Sequence, residues 1–179
     1  MLLKRDLSAL ILVDVQEKLT PKILQHESLI TRCEWLLRLA NACSVPVLSC
    51  EQYPSGLGKT VEPLASLLSE ASIEKTEFSC YQCNEFANQW HKLNKKQAVI
   101  IGIETHVCVL QTALDLIEQD FQVFVVVDSV SCRSELDKTY GLKRMKQAGA
   151  ELLTSEMVFF EWLENAGTSE FKELVKQFF

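Results

Sequence analysis

Apolar residues fall along this chain in two alternating patterns. Short unbroken runs, such as Ala9 to Val13 and Ala98 to Ile101, have the length and β-branched content of strands buried on both faces of a parallel sheet. Between them, apolar positions recur at helical spacing, as in Leu29, Ile30, Cys33, Leu36, Leu37 and Ala40. The predicted order starts with a strand over Ala9 to Val13, ended by Asp14, and then this helix. A second strand covers Val45 to Leu48, introduced by Pro46. Glu51 to Thr60 is a loop rich in turn residues, and Val61 to Leu68 is a short helix. The third strand, Ile73 to Phe78, carries Lys75, and Phe86 to Leu93 is helical. Gly102 ends the fourth strand. Val107, Leu110, Ala113, Leu114 and Ile117 then trace a helix with Thr105 as its N-cap. Val123 to Val127 is the fifth strand, ended by Asp128, and Leu136 to Ala148 a helix stopped by Gly149. Glu151 to Thr154 is the sixth strand, followed by a helix through Trp162 and an amphipathic helix from Thr168 to Phe179.

Strands alternating with helices over short connections predict an α/β domain, a parallel sheet covered on both faces. With 179 residues and no break in composition, the reading is one domain over 1–179. A 47% apolar and 23% charged composition is that of a globular protein in water. A net charge of −6 with no Lys/Arg-rich stripe argues against nucleic-acid binding. No apolar run reaches bilayer-spanning length, and Met1 to Asp6 does not read as a secretory leader, so the expectation is a cytoplasmic protein off the membrane. Seven cysteines, an odd number mostly within apolar patterns, fit free thiols better than a disulfide framework. Cys80 and Cys83 form one C-x-x-C without a second pair or nearby histidines, which points away from structural zinc.

Ligands of such sheets bind beyond the carboxyl ends of the strands. That rule makes three positions informative: Asp14 after the first strand, Lys75 on the third, and Cys108 after the fourth. A thiol in the first turn of a helix meets unpaired N–H groups and the positive end of the helix dipole, both of which favour the thiolate. The same N–H groups can hold an oxyanion. Lys75 supports the thiolate by charge, and Asp14 takes the thiol proton and returns it to a leaving amine. Each residue also has a plain reading: Cys108 as a small buried apolar residue, Asp14 as a loop cap, Lys75 as a solvated edge charge.

Asp14 in Leu-Val-Asp-Val-Gln, Lys75 in Glu-Lys-Thr-Glu-Phe-Ser, and Cys108 in Gly-Ile-Glu-Thr-His-Val-Cys-Val resemble the Asp–Lys–Cys triad of isochorismatase-like cysteine hydrolases. Glu51 to Thr60, Asp128 to Arg133 and Phe171-Lys-Glu-Leu resemble the isochorismatase-domain-containing subgroup, and the likeness runs over essentially the whole chain. The resemblance implies a Rossmann-like α/β/α fold on a six-stranded parallel sheet, in a homo-oligomer. It implies a cis peptide between Ile103 and Glu104, and an oxyanion hole from the N–H groups of Glu104 and Cys108. The implied reaction is hydrolysis of a C–N bond in a small amide through a thioester on Cys108. Glu51 to Thr60 carries no histidine where nicotinamidases of this superfamily bind a metal, so the expectation is no catalytic metal and no cofactor. Cys108 stands where isochorismate-cleaving enzymes lack a cysteine, which points away from isochorismate.

Tyr53, Glu104 and His106 are expected to line the substrate pocket, with Leu57, Phe78 and Gln16 within reach of it. Arg133 is read as a structural ion pair. The aromatic C-terminal stretch, Phe159 to Phe179, reads either as a subunit interface or as a helix docked on its own domain. Two other functions stay open: a scaffold that keeps the fold without turnover, and a thiol redox protein using Cys80 and Cys83.

Overall fold

The computed structural model describes residues 1–179 and centres on a six-stranded, all-parallel sheet of order β3-β2-β1-β4-β5-β6. Its strands are β1 (Ser8–Val13), β2 (Val47–Gln52), β3 (Ile73–Lys75), β4 (Gln97–Ile103), β5 (Gln122–Ser131) and β6 (Glu151–Leu153). The helices are α1 (His26–Ala42), α2 (Pro54–Leu57), α3 (Glu62–Ala65), α4 (Asn84–Leu93), α5 (Cys108–Glu118), α6 (Glu135–Ala148), α7 (Ser155–Leu163) and α8 (Ser169–Phe178). The strand side chains alternate between two cores. Leu10, Leu12, Val99, Ile101 and Phe124 pack with α1 and α7 on one face. Ala9, Ile11, Ala98, Ile100 and Val123 pack with α4 and α5 on the other. Burial on both faces is why these strands read as continuous apolar runs. The resulting fold is the Rossmann-like α/β/α architecture expected from the sequence.

Several boundaries differ from the periodicity reading. β2 runs from Val47 to Gln52, past the predicted end at Leu48, because Ser49, Cys50 and Glu51 still pair and stay buried. β3 stops at Lys75, short of Phe78, at the limit of its pairing with β2. α3 covers only Glu62–Ala65 of the Val61 to Leu68 segment. Neither Gly102 nor Asp128 ends its strand. β4 continues to Ile103 and β5 to Ser131, with a register irregularity that pairs Ile100 with Val125 and Gly102 with Val130. Asp128 lies in that irregularity and caps α7, its carboxylate accepting from the N–H and hydroxyl of Ser155 at 2.9 and 2.6 Å. The C-terminal aromatics dock on their own chain. Trp35 meets Phe178 edge-on at 5.0 Å, and Phe159 and Trp162 are buried, while Phe160 and Phe179 stay exposed.

Candidate active site at the strand-order reversal

Strand order reverses between β1 and β4, which opens a crevice at their carboxyl ends. Asp14 follows β1 there, and Cys108 begins α5 after β4. Lys75 stands two strands away, on β3. In register, Cys50 lies opposite both Val13 and Ile73, and Gln52 opposite Lys75, so β2 and β3 run two residues past the end of β1 and Lys75 falls beside the residue after it, Asp14. The lysine side chain spans the end of β2 and places Nζ 2.8 Å from Asp14 Oδ2. Both side chains are sealed from solvent, at 0% and 1% exposure. Lys75 Nζ also donates to Gln52 Oε1 at 2.6 Å and to the carbonyls of Glu77 and Phe78 at 3.2 and 3.3 Å.

The close approach of β1 and β4 depends on Gly102. Its φ is +114°, and a Cβ there would lie 2.1 Å from the Val13 carbonyl oxygen, one residue before Asp14. The peptide after Ile103 is cis. The turn from Glu104 to Val107 is pinned to β5 by Thr105 N–H donating to Ser131 O at 3.0 Å. Gly141 lets α6 close on this turn, since a Cβ there would already be 3.2 Å from the Thr105 carbonyl. Thr105 does not cap α5. Val107 occupies the N-cap position, and the Thr105 hydroxyl is buried without a partner. Neither the Glu104 N–H nor the Cys108 N–H is taken by a carbonyl of the protein.

The electrostatics correct one expectation. Burial pushes the Cys108 thiol up, and the adjacent Asp14 carboxylate pushes it further, against a weaker downward pull from Lys75. The net direction is upward, opposite to the one expected from a helix start alone. Burial also raises the Asp14 carboxyl, opposed by Lys75 and by hydrogen bonding to Cys108. For Lys75, burial works downward, and Asp14 works upward by charge and by hydrogen bond, with a net rise. With four acceptors around it, Lys75 is held as an ammonium. One Asp14 oxygen, Oδ1, remains buried without a partner.

The pocket residues divide. Tyr53 follows β2, is exposed, and borders a cavity of about 310 Å³ shared with Glu74, Lys75, Thr76, Glu77 and Cys83. His106 is half-buried, its Nε2 4.0 Å from Asp137 and its Nδ1 without a partner. The Glu104 carboxylate is not free for substrate. It accepts from Arg133 Nε at 2.9 Å and from the Arg133 backbone N–H at 3.2 Å, which makes Arg133 the structural partner expected. Gln16 does not reach the crevice. Its amide bonds Gln52 and Gly58 and ties down the loop after β2. Glu51 does the same from a buried position, accepting from the N–H and hydroxyl of Thr60 at 2.7 and 2.9 Å.

Gln52 is the site residue that the pattern of the chain did not single out. Its Oε1 touches Lys75 and lies 4.0 Å from Cys108 Sγ. The rule that marked Asp14, a polar residue ending a buried strand, would have found it had β2 been carried to its true end. Cys80 and Cys83 are free thiols in different settings. Cys80 is buried in the same core cluster as Cys50 and Cys108, whereas Cys83 is partly exposed beside Glu74. No three His, Cys, Asp or Glu side chains converge to hold a metal ion.

A doubly covered parallel sheet with its crevice at the strand-order reversal defines a Rossmann-like, doubly wound α/β fold. Residues 8–157 match the isochorismatase domain. The chain is 39% identical over 170 residues to isochorismatase domain-containing protein 2A of Mus musculus, covering 94% of this chain and 81% of that protein. It is 36% identical over 176 residues to isochorismatase family protein 1B of Dictyostelium discoideum, covering 95% and 85%. Among solved structures, the MAR1 ribonuclease from Caenorhabditis elegans superposes with a TM-score of 0.91 at 39% identity, covering 98% of this chain and 91% of that one. The YcaC gene product of Escherichia coli, described as an octameric hydrolase of unknown specificity, gives 0.89 at 25% identity, covering 99% and 96%. The chain belongs to the isochorismatase family and has its hydrolase fold.

Proposed function

We propose that this protein is a cysteine hydrolase that cleaves the C–N bond of a small amide through a thioester on Cys108. The observation that supports it best is the Asp14–Lys75 pair, fully desolvated and set against the thiol. A buried charge pair is costly, and structures seldom keep one beside a thiol without using it. In the proposed sequence, Asp14 takes the Cys108 proton as sulfur attacks the carbonyl carbon, and Lys75 carries the charge balance. The tetrahedral oxyanion rests on the free N–H groups of Glu104 and Cys108. Collapse breaks the C–N bond, and Asp14 returns its proton to the leaving nitrogen. Water then attacks the thioester, gives up a proton to Asp14, and releases the acid while the thiol re-forms. Asp14 suits this shuttle, because burial raises its affinity for a proton while Lys75 keeps the carboxylate accessible. No step calls on a metal or cofactor. Tyr53 and His106 are the proposed substrate contacts.

We further propose a homo-oligomer, in line with the octameric Escherichia coli relative. The Caenorhabditis elegans relative is described as a ribonuclease. Here the cation of the triad, Lys75, is sealed from solvent and paired with Asp14, which leaves it unable to neutralise a phosphate backbone. A panel of small aliphatic and aromatic amides, with an RNA oligonucleotide as control, tests the reading by ammonia release and by intact-protein mass. The expected result is turnover of at least one amide and an acyl adduct that maps to Cys108. An adduct-free protein that cleaves RNA would overturn it, and inertness across the panel would favour the scaffold reading.

A further inference from the structure

Gln52 is held on every polar group it has. Its backbone N–H donates to Gln16 Oε1 at 2.8 Å, and its carbonyl accepts from Gln16 Nε2 at 3.0 Å. Its side-chain Nε2 donates to the Thr76 carbonyl at 2.7 Å. That last bond decides which way the amide faces, because only the nitrogen can donate to a carbonyl. The oxygen is left pointing inward, 2.6 Å from Lys75 Nζ and 4.0 Å from Cys108 Sγ.

The consequence for sulfur follows from counting donors. An ammonium has three N–H bonds. Four acceptors surround Lys75: Asp14 Oδ2, Gln52 Oε1 and the carbonyls of Glu77 and Phe78. No N–H is left over for Cys108. Besides the Asp14 carboxylate, the Lys75 ammonium and the Cys80 thiol, the sulfur faces this fixed amide oxygen, to which a thiol can donate and from which a thiolate is repelled.

We infer that Gln52 is a positioning residue that sets the protonation of Cys108, its fixed amide oxygen accepting from the thiol and opposing the thiolate. The inference rests on the reading of Cys108 as nucleophile and adds the device that keeps it in reserve.

The test is the rate of Cys108 alkylation by iodoacetamide against pH, read by peptide mass spectrometry on the full chain, in wild type, Gln52→Met and Gln52→Glu. Methionine keeps the length of the side chain and removes the acceptor. Its profile moves to lower pH, and the rate at pH 8 rises by about tenfold, the equivalent of one pKa unit. Glutamate binds Lys75 more tightly and sets a negative charge beside sulfur. Its profile moves to higher pH, and the rate at pH 8 falls by a similar factor. A packing role alone would move both variants the same way. Profiles that coincide with wild type, or that shift together, overturn the inference. Should Gln52→Met unfold, as fast alkylation of Cys33 would reveal, Gln52→Glu still decides: slower alkylation supports the inference, and an unchanged or faster rate rejects it. The profile needs no substrate. A failed amide panel would therefore count against the hydrolase reading alone, and coincident profiles against the Gln52 inference alone.

Discussion

Cys33, in the middle of α1, and Cys108, at the start of α5, are both buried thiols, and in both cases burial is the main cause of a raised pKa. Their neighbours differ. Cys33 lies against the Ser129 carbonyl at 3.6 Å, an acceptor that cannot take the proton away, and the Asp128 carboxylate acts on it by charge alone, without a hydrogen bond. Cys108 lies against Asp14, a carboxylate that can take it, with the Lys75 ammonium fixed 2.8 Å beyond. Depth alone therefore makes a thiol inert. A nucleophile requires, in addition, a proton acceptor of matched affinity and a cation that cannot leave.

The largest test of this contrast is to swap each thiol for a hydroxyl. Cys108→Ser should remove the acyl adduct and lower amide turnover by about 10⁴-fold or more, as loss of a nucleophile does. Cys33→Ser should leave turnover of the folded protein unchanged and cost about 1–3 kcal/mol in urea unfolding, the cost of placing a hydroxyl in an apolar core. Equal activity losses in the two variants would erase the distinction.

Lys75→Met probes the cation. Removing one member of a buried pair leaves Asp14 charged and unpartnered, which costs about 3–5 kcal/mol. Urea unfolding should show this loss, and the Cys108 adduct should form more slowly at every pH. A loss below about 1 kcal/mol, the worth of a surface pair, would show that Lys75 and Asp14 are not paired as charges in the folded protein.

The smallest effect separates the two thiols by pH. Both bind their protons more tightly in the folded chain than in the unfolded one, where the thiol value is 9.0. The unfolded state therefore loses protons first, and native stability falls as pH rises through about 9. Below that pH, Cys108 alkylation should rise about tenfold per pH unit and stay slower than in urea-unfolded protein, while Cys33 stays silent until the chain opens. A Cys108 rate that is flat from pH 6 to 8 would mean a thiolate already present at rest.

Much of this architecture was legible in the order of residues. Burial on both faces of a parallel sheet leaves an unbroken apolar run, so Ala9 to Val13 and Ala98 to Ile101 announce their strands. The charge that ends the first of these runs, Asp14, marks the carboxyl end of its strand. Local patterns also led to errors. Gly102 and Asp128 resemble strand stops, yet both lie inside paired strands, because a bulge between β4 and β5 absorbs them. Thr105 has the chemistry of an N-cap but bonds β5 through its backbone instead.

What the sequence determined by itself was the alternation of elements and the set of polar residues that must end up at the carboxyl edge. Which of those residues meet was decided only by tertiary structure. Lys75 reaches Asp14 across 61 residues of chain because β2 lies between their strands, with Cys50 opposite both Val13 and Ile73 and Gln52 opposite Lys75. Periodicity reports the exposure of each residue along its own element. It carries no information on strand order, on side-chain reach across a neighbouring strand, or on the depth at which Cys108 is buried.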